Sequence, residues 1–430
     1  MMDSWPDAAQ RYQRTRAVQG PWKLAGEPGS DFHGAVVIPS LAEGESLLRT
    51  LDSLAANPVD SLAQFLVVVV VNHRIDAAPE IKACNRADLL TLSRLQPASG
   101  LRLAWVDAAT QGREMPNSNS GVGLARKIGM DLALGRLDWS AQPLLICLDA
   151  DTLVEPNYLE AIRSHFEKNQ NGAASLAFRH QSTADPVRQT AIERYELFVR
   201  SYVLGLERAG SPYAFATIGS AIACRAMTYV RVGGMNRRKA GEDFYFLQQA
   251  AKTDGVAALR STRVFPSSRT SARVPFGTGA SMTQMLGENP SALLFYPAQA
   301  FEILAGLLAR VRSNPDVEST QLINLAGNIA PELADFLERA KFAVVWSGIR
   351  NNHPEGTQRF KAFHVWFDGL KTLRLIHALC AAPCRKLAPE QALPELFNWC
   401  HLTYPEDLAE ALERLRQHQD GSGHDLDMKI

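Results

Sequence analysis

Two acids flanking one small residue, Asp149-Ala150-Asp151, close the unbroken apolar run of residues 144–148. Carboxylate oxygens at that spacing, on a sharp strand end, come close enough to hold one hard divalent cation completed by water and phosphate oxygens. A metal-bound nucleotide diphosphate is one reading of the tripeptide. A strand ending in two solvated acids is the other. Further on, Glu242 and Asp243 follow Gly241 at the start of a helical pattern, where acids also complement the helix dipole. Arg269 and Arg273 stand four apart in a small, basic loop, residues 267–277. Cys380, Cys384, Cys400 and His401 match no common zinc spacing, and their apolar neighbours point to core packing.

Alternating strands and helices must position these groups. Residues 35–38 form a compact apolar strand, which Pro39 should stop by removing a backbone donor. Leu47, Leu48, Leu51 and Leu54 recur at helical spacing, and residues 65–71 are a second strand ending at Asn72-His73-Arg74. Residues 76–97 read as a helix with Ile81, Leu89, Leu90 and Leu92 buried. Residues 101–106 are a third strand, a helix follows Gly121, and the acid-bearing run is the fourth strand. This β-α-β order predicts a parallel sheet with ligands at the carboxyl ends of its strands. Strands at 173–179, 221–225 and 256–265 follow, with a long helix at 186–206 whose Tyr195, Phe198 and Tyr202 stripe reads as core. Long helices at 298–312, 321–346 and 358–379 take over beyond residue 281.

The whole chain limits the function classes. Its 430 residues allow one large or two ordinary domains. Lys+Arg and Asp+Glu balance at 45 each, so no global field favours nucleic acid or an anionic membrane. No apolar stretch reaches the roughly 18–20 residues of a membrane span. Residues 1–30 lack a signal-type apolar core, and six scattered cysteines suit reduced thiols, so the expected location is cytoplasmic. The expected division is an N-terminal extension, 1–31; an α/β domain, 32–280; a helical region packed on it, 281–418; and a flexible tail, 419–430.

The order Val36-Val37-Ile38-Pro39, Arg126, Asp149-Ala150-Asp151, Gly233-Gly234-Met235 and Glu242-Asp243 resembles the family 2 glycosyltransferases, inverting enzymes of the GT-A fold. The likeness covers roughly residues 33–275. It implies a Rossmann-like, mostly parallel mixed sheet flanked by helices. It also implies that Pro39 and Glu43 face the base and ribose, and that Arg126 lies near the nucleotide or diphosphate; a solvent-facing helix arginine is the alternative. Asp151 matches the metal-bridging acid, and Asp149 the acid touching ribose or metal-bound water. Asp243 matches the catalytic base, and Glu242 its neighbour in the acceptor site. Arg269 and Arg273 then have the composition of a diphosphate clamp, against a solvated surface loop.

The resemblance implies a Mn²⁺- or Mg²⁺-dependent enzyme. It would move one sugar from a nucleotide-diphospho-sugar, UDP-sugar favoured, to a hydroxyl on a small molecule, lipid or glycan. Departures are visible. Relatives often end the second strand in acids that bind the nucleobase; here Asn72 stands there and can hydrogen-bond a uracil. The Gln-x-x-Arg-Trp motif of processive synthases is absent. Many GT-A enzymes also carry a metal-binding histidine after the base. None occurs here before His353, which is the candidate substitute, set against an ordinary surface histidine. The competing expectations are a sugar-phosphate nucleotidyltransferase, disfavoured by the non-basic segment 39–44, and a non-catalytic nucleotide-sugar or glycan-binding protein.

Overall fold

The structure is a computed structural model; it describes residues 5–27, 29–95, 100–118, 120–270, 277–287 and 293–421. The chain forms two compact units: Met1–Ala184 with Thr217–Ala280, and Asp185–Ala216 with Ser281–Ile430. Among the described residues no helix is long and apolar enough to cross a membrane.

The first unit is built on a nine-stranded sheet with flanking helices, the α/β architecture expected of a GT-A chain. Its strands are β1 (Leu24–Gly26), β2 (Gly34–Ser40), β3 (Phe65–Asn72), β4 (Arg102–Ala108), β5 (Leu144–Cys147), β6 (Leu153–Val154), β7 (Ala173–Phe178), β8 (Ile222–Arg225) and β9 (Val256–Phe265). They lie in the order β1-β4-β3-β2-β5-β8-β7-β9-β6. The run β4-β3-β2-β5 is parallel. Every residue of β2, β3 and β5 is buried, as expected of strands covered on both faces. Beyond β5 the pairing turns mixed, because β8 runs antiparallel to both β5 and β7. The sheet is therefore mixed, with its parallel run at β4-β3-β2-β5.

Pro39 does not stop β2, which continues through it to Ser40. The Val37 carbonyl accepts from the Leu148 N–H, so Val37 and Pro39 turn their backbone groups to the β5 side. The β2–β5 ladder ends at Val37 opposite Cys147, so the missing proline N–H falls beyond it and costs no ladder bond. The helix Val122–Ala133 lies tight on β2 and β3. A Cβ on Gly129 would sit 2.4 Å from Val37 Cγ1 and 2.8 Å from Val70 Cγ2. Residues expected to be a mere extension are bound into this unit. Tyr12, on helix Asp7–Thr15, donates to Asp131 Oδ1 at 2.7 Å and accepts from Lys127 Nζ at 2.6 Å.

The second unit is helical and gathers its core from Phe301, Phe342, Trp346, Phe363, Phe367 and Phe397, with the other apolar residues of its helices. The helix Pro186–Arg208 belongs here, not to the sheet unit. Its Phe198 and Tyr202 pack on Phe295 and Tyr296, which makes that stripe core. The segments read as two long helices are five. Residues 321–346 fall within Ser319–Gly327, Pro331–Arg339 and Phe342–Asn352, with Pro331 restarting the chain and Lys341 left-handed at φ 56°. Gly356–Trp366 and Gly369–Ala381 are separated by Asp368, whose side chain caps the second. The last helix, Leu408–Asp420, includes residues expected to lie in a loose tail: Asp420 Oδ2 pairs with buried Arg200 Nη2 at 2.8 Å. Residues 422–430 lie outside the described residues. Cys384 is buried in the same core, with Cys380 and Cys400 packed against it.

Candidate active site

β2 lies between β3 and β5, so the strand order reverses at β2 and β5 and a crevice opens at their carboxyl ends. The loop leaving β2 carries Glu43. It turns through Ala42 at φ 53° and Gly44 at φ 51°, a left-handed conformation that alanine resists. Two buried polar side chains on helix Pro79–Arg94 hold it. The Ala42 N–H donates to Asn85 Oδ1 at 2.8 Å, and the Gly44 N–H to Asp88 Oδ2 at 3.4 Å. That helix buries Asn85, Asp88 and Leu92, while Leu90, expected inside, is 49% exposed. The apolar period hides this polar stripe. A carboxylate and an amide spaced three apart, with Leu92 four further on, were the available signal.

Asp149 and Asp151 follow β5, and each meets an arginine from a distant segment. Arg126 is 2% exposed on helix Val122–Ala133, which excludes a solvent-facing role. Its Nη2 lies 2.5 Å from Asp149 Oδ1, and its Nη1 donates to Glu242 Oε1. Gly219 makes room for it, since a Cβ there would sit 2.3 Å from Nη2. Arg269 places Nε 2.7 Å from Asp151 Oδ2 and Nη2 2.8 and 2.6 Å from the two oxygens of Glu43. The sheet explains that meeting. β6 pairs antiparallel with β9, Leu153 opposite Phe265, so the residues before β6 run alongside those after β9. Gln181 Nε2 fastens both, donating to the Asp151 carbonyl at 2.8 Å and the Phe265 carbonyl at 2.7 Å.

Glu242 and Asp243 begin helix Glu242–Thr253, as the helical pattern implies. Glu242 is 3% exposed and ion-paired, not a solvated helix-end acid. Burial holds its carboxyl above the ordinary range, with Arg126 drawing it down. Burial, then the charge of Glu242, pushes Asp243 up to about 7, against the pull of Arg126 and of the Phe244 N–H. The Phe244 N–H donates to Asp243 Oδ1 at 2.7 Å. A carboxyl titrating near neutrality suits proton transfer at working pH. Burial pushes the Cys147 thiol up to about 12, so it is no nucleophile.

The other expected residues are distributed as follows. Pro39 is buried within β2. Asn72 is 4% exposed, and its amide donates to the Ser40 and Val70 carbonyls, both at 3.0 Å, so those protons serve the backbone. Arg273 lies outside the described residues. His353 ends helix Phe342–Asn352 in the second unit, whereas Asp149 and Asp151 belong to the first.

Among the described residues no group of three or more His, Cys, Asp or Glu side chains is placed to hold a metal ion. The donor set at Asp149 and Asp151 nonetheless suits a hard cation of the Mg²⁺ kind, which takes one or two carboxylates and draws its other ligands from water and phosphate. Asp149 keeps 36% of its side chain exposed and Asp151 19%. Arg269 already bonds Asp151 Oδ2, so a cation there shares or replaces that guanidinium.

Residues 144–286 match the family model described as Glycosyl transferase family group 2. No curated protein matches the chain. Among solved structures, S. aureus TarS 1-349 in complex with UDP-GlcNAc is 14% identical, at a TM-score of 0.38 over 90% of this chain and 92% of that one. The mannosyltransferase PcManGT from Pyrobaculum calidifontis, in complex with GDP-Man and Mn2+, is 15% identical, at 0.38 over 96% and 92%. The matched segment carries Asp149, Asp151, Glu242, Asp243 and Arg269, and over that segment the chain is similar to the family 2 glycosyltransferases.

Proposed function

We propose that this chain is a metal-dependent, inverting glycosyltransferase that moves a single sugar from a nucleotide-diphospho-sugar, UDP-sugar favoured, to a hydroxyl of a small molecule, lipid or glycan. One observation carries the reading. Arg126 ties Asp149, at the ligand end of β5, to Glu242, whose neighbour Asp243 titrates at about 7.

Asp243 is the base. Its Oδ1 is held by the Phe244 N–H, and Oδ2 takes the acceptor proton. The acceptor oxygen bonds to the anomeric carbon as the bond to the diphosphate oxygen breaks on the opposite face. Configuration inverts in one step, so one carboxylate suffices. Glu242 lines the acceptor side and Arg126 holds it there. Arg269, with Arg273, answers the charge of the diphosphate, and Pro39, Glu43 and Asn72 flank the nucleoside. A Mg²⁺ or Mn²⁺ held by Asp151 with Asp149 would supply Lewis-acid stabilisation of the leaving diphosphate. The domain reading is a catalytic GT-A domain at 32–280, followed by a helical region at 281–418. Six free cysteines support a cytoplasmic setting.

The test uses two variants. Asp151→Ala should abolish metal-dependent binding of nucleoside diphosphate in calorimetry. Asp243→Asn should keep that binding and lose transfer. Wild-type turnover by Asp243→Asn overturns the base assignment.

A further inference from the structure

His73 follows Asn72 at the carboxyl end of β3 and is 3% exposed. A chain of hydrogen bonds sets its tautomer. Asn85 Oδ1 accepts from the Ala42 N–H, so the amide is oriented with Nδ2 toward β3. Nδ2 donates to the Asn72 carbonyl at 2.9 Å and lies 2.9 Å from His73 Nδ1. Nδ1 must then accept, which leaves the ring neutral with its proton on Nε2. Burial, aided by Lys82, lowers the His73 pKa and favours the same neutral form. Among the described residues Nε2 has no hydrogen-bond partner, and it reaches solvent.

The place of this donor is informative. Strands lie about 4.8 Å apart, so the ends of β3 and β5, on either side of β2, are separated by about 10 Å. The helix bearing Glu242 and Asp243 packs on β7 and β9, which lie on the far side of β5 from β3. A donor with its diphosphate at Asp151 and its sugar toward Asp243 directs its nucleoside the other way, toward β3.

We infer that His73 is a specificity-determining residue of the donor site, whose Nε2–H selects a nucleobase presenting a carbonyl oxygen, uracil or guanine, over one presenting an amino group, cytosine or adenine. This rests on the nucleotide-sugar reading above. Uracil O4 and guanine O6 accept where cytosine N4 and adenine N6 donate. A fixed donor facing an amino group leaves two donors opposed and unpaired, which discriminates more strongly than a lost contact.

The experiment is calorimetry on the full chain with Mg²⁺ and four ligands, UDP, GDP, CDP and ADP. Wild type should bind UDP or GDP at least about tenfold more tightly than CDP and ADP, the worth of one hydrogen bond to a buried group. The UDP and GDP arms show which carbonyl base is taken. His73→Gln, whose amide both donates and accepts, should admit CDP and close most of that gap. An unchanged preference in His73→Gln overturns the inference while leaving the donor reading intact. Binding of none of the four retires both. A ¹H–¹⁵N correlation on wild type gives a check independent of variant folding: a proton on Nδ1 instead of Nε2 also overturns it.

Discussion

Arg126 Nη2 lies 2.5 Å from Asp149 Oδ1, joining the middle of one helix to the loop after β5. The other arm of the same guanidinium reaches Glu242. Burial works against the Arg126 charge, but Asp149 and Glu242 outweigh it, so the arginine stays protonated. Arg126→Met strands the buried Glu242 carboxylate and leaves the half-exposed Asp149 without its guanidinium, and should cost about 3–5 kcal/mol of stability. Arg126→Lys should recover only part, because an ammonium lacks the planar fork that spans both acids. Urea unfolding of the three proteins checks the order.

Asp243→Asn should lower turnover by about 10²- to 10⁴-fold, the usual worth of a general base, with donor affinity nearly unchanged. Turnover assays paired with calorimetry separate the two effects.

The pH dependence has two opposite signs. As the proposed base, Asp243 must be ionised to act, so kcat/KM should rise with pH and level off above about 7. Stability runs the other way. The folded carboxyl sits above its ordinary value, so the stabilisation from its proton is full below the ordinary carboxylate range. It is lost as pH climbs through about 7. Asp243→Asn, which carries no such charge, should therefore gain in melting temperature relative to wild type between pH 5 and pH 8. Equal shifts at both pH values would exclude a raised Asp243.

Arg269 bonds Glu43 and Asp151 together, the place where a cation and a diphosphate are proposed to bind. Arg269→Ala removes a competing positive charge and a diphosphate partner at once. Mn²⁺ alone should bind more tightly to the variant than to wild type, and UDP in the presence of Mn²⁺ more weakly. Water-proton relaxation of Mn²⁺ reads the first and calorimetry the second.

Tyr12 donates to Asp131 and accepts from Lys127 inside the first unit. Tyr12→Phe leaves Lys127 and Asp131 short of a partner each and should cost about 1–3 kcal/mol. Denaturant unfolding measures it.

Several features were legible in the linear chain because their causes are local. The β-branched run of residues 65–71 can only be a covered strand, and the acids after residue 148 fall at the ligand end of a parallel strand by the β-α-β order alone. Glu242 and Asp243 at a helix start follow from Gly241 and the apolar residues Phe244, Phe246 and Leu247, of which Phe246 and Leu247 are buried and Phe244 half-buried. Helix breaks within 321–346 were less visible, since Lys341 carries no signal for its left-handed backbone. Asn85 and Asp88 are not legible in the chain, because their partners are the backbone N–H groups of Ala42 and Gly44, more than forty positions away.

By itself the sequence determined the alternating sheet, the change to helices after residue 281, and the placing of Asp149, Asp151, Glu242 and Asp243 at the ends of their elements. Local periodicity and strand-end position encode all of these. Only the tertiary structure decided which charges meet. Arg126 reaches Glu242 across 116 positions, and Arg269 reaches Glu43 across 226. Such pairings depend on the antiparallel register of β6 with β9 and on the close approach at Gly219, and no spacing along the chain records either. Coulomb attraction in a buried site is strong but carries no sequence period, so the acids could be read from the chain and their partners could not.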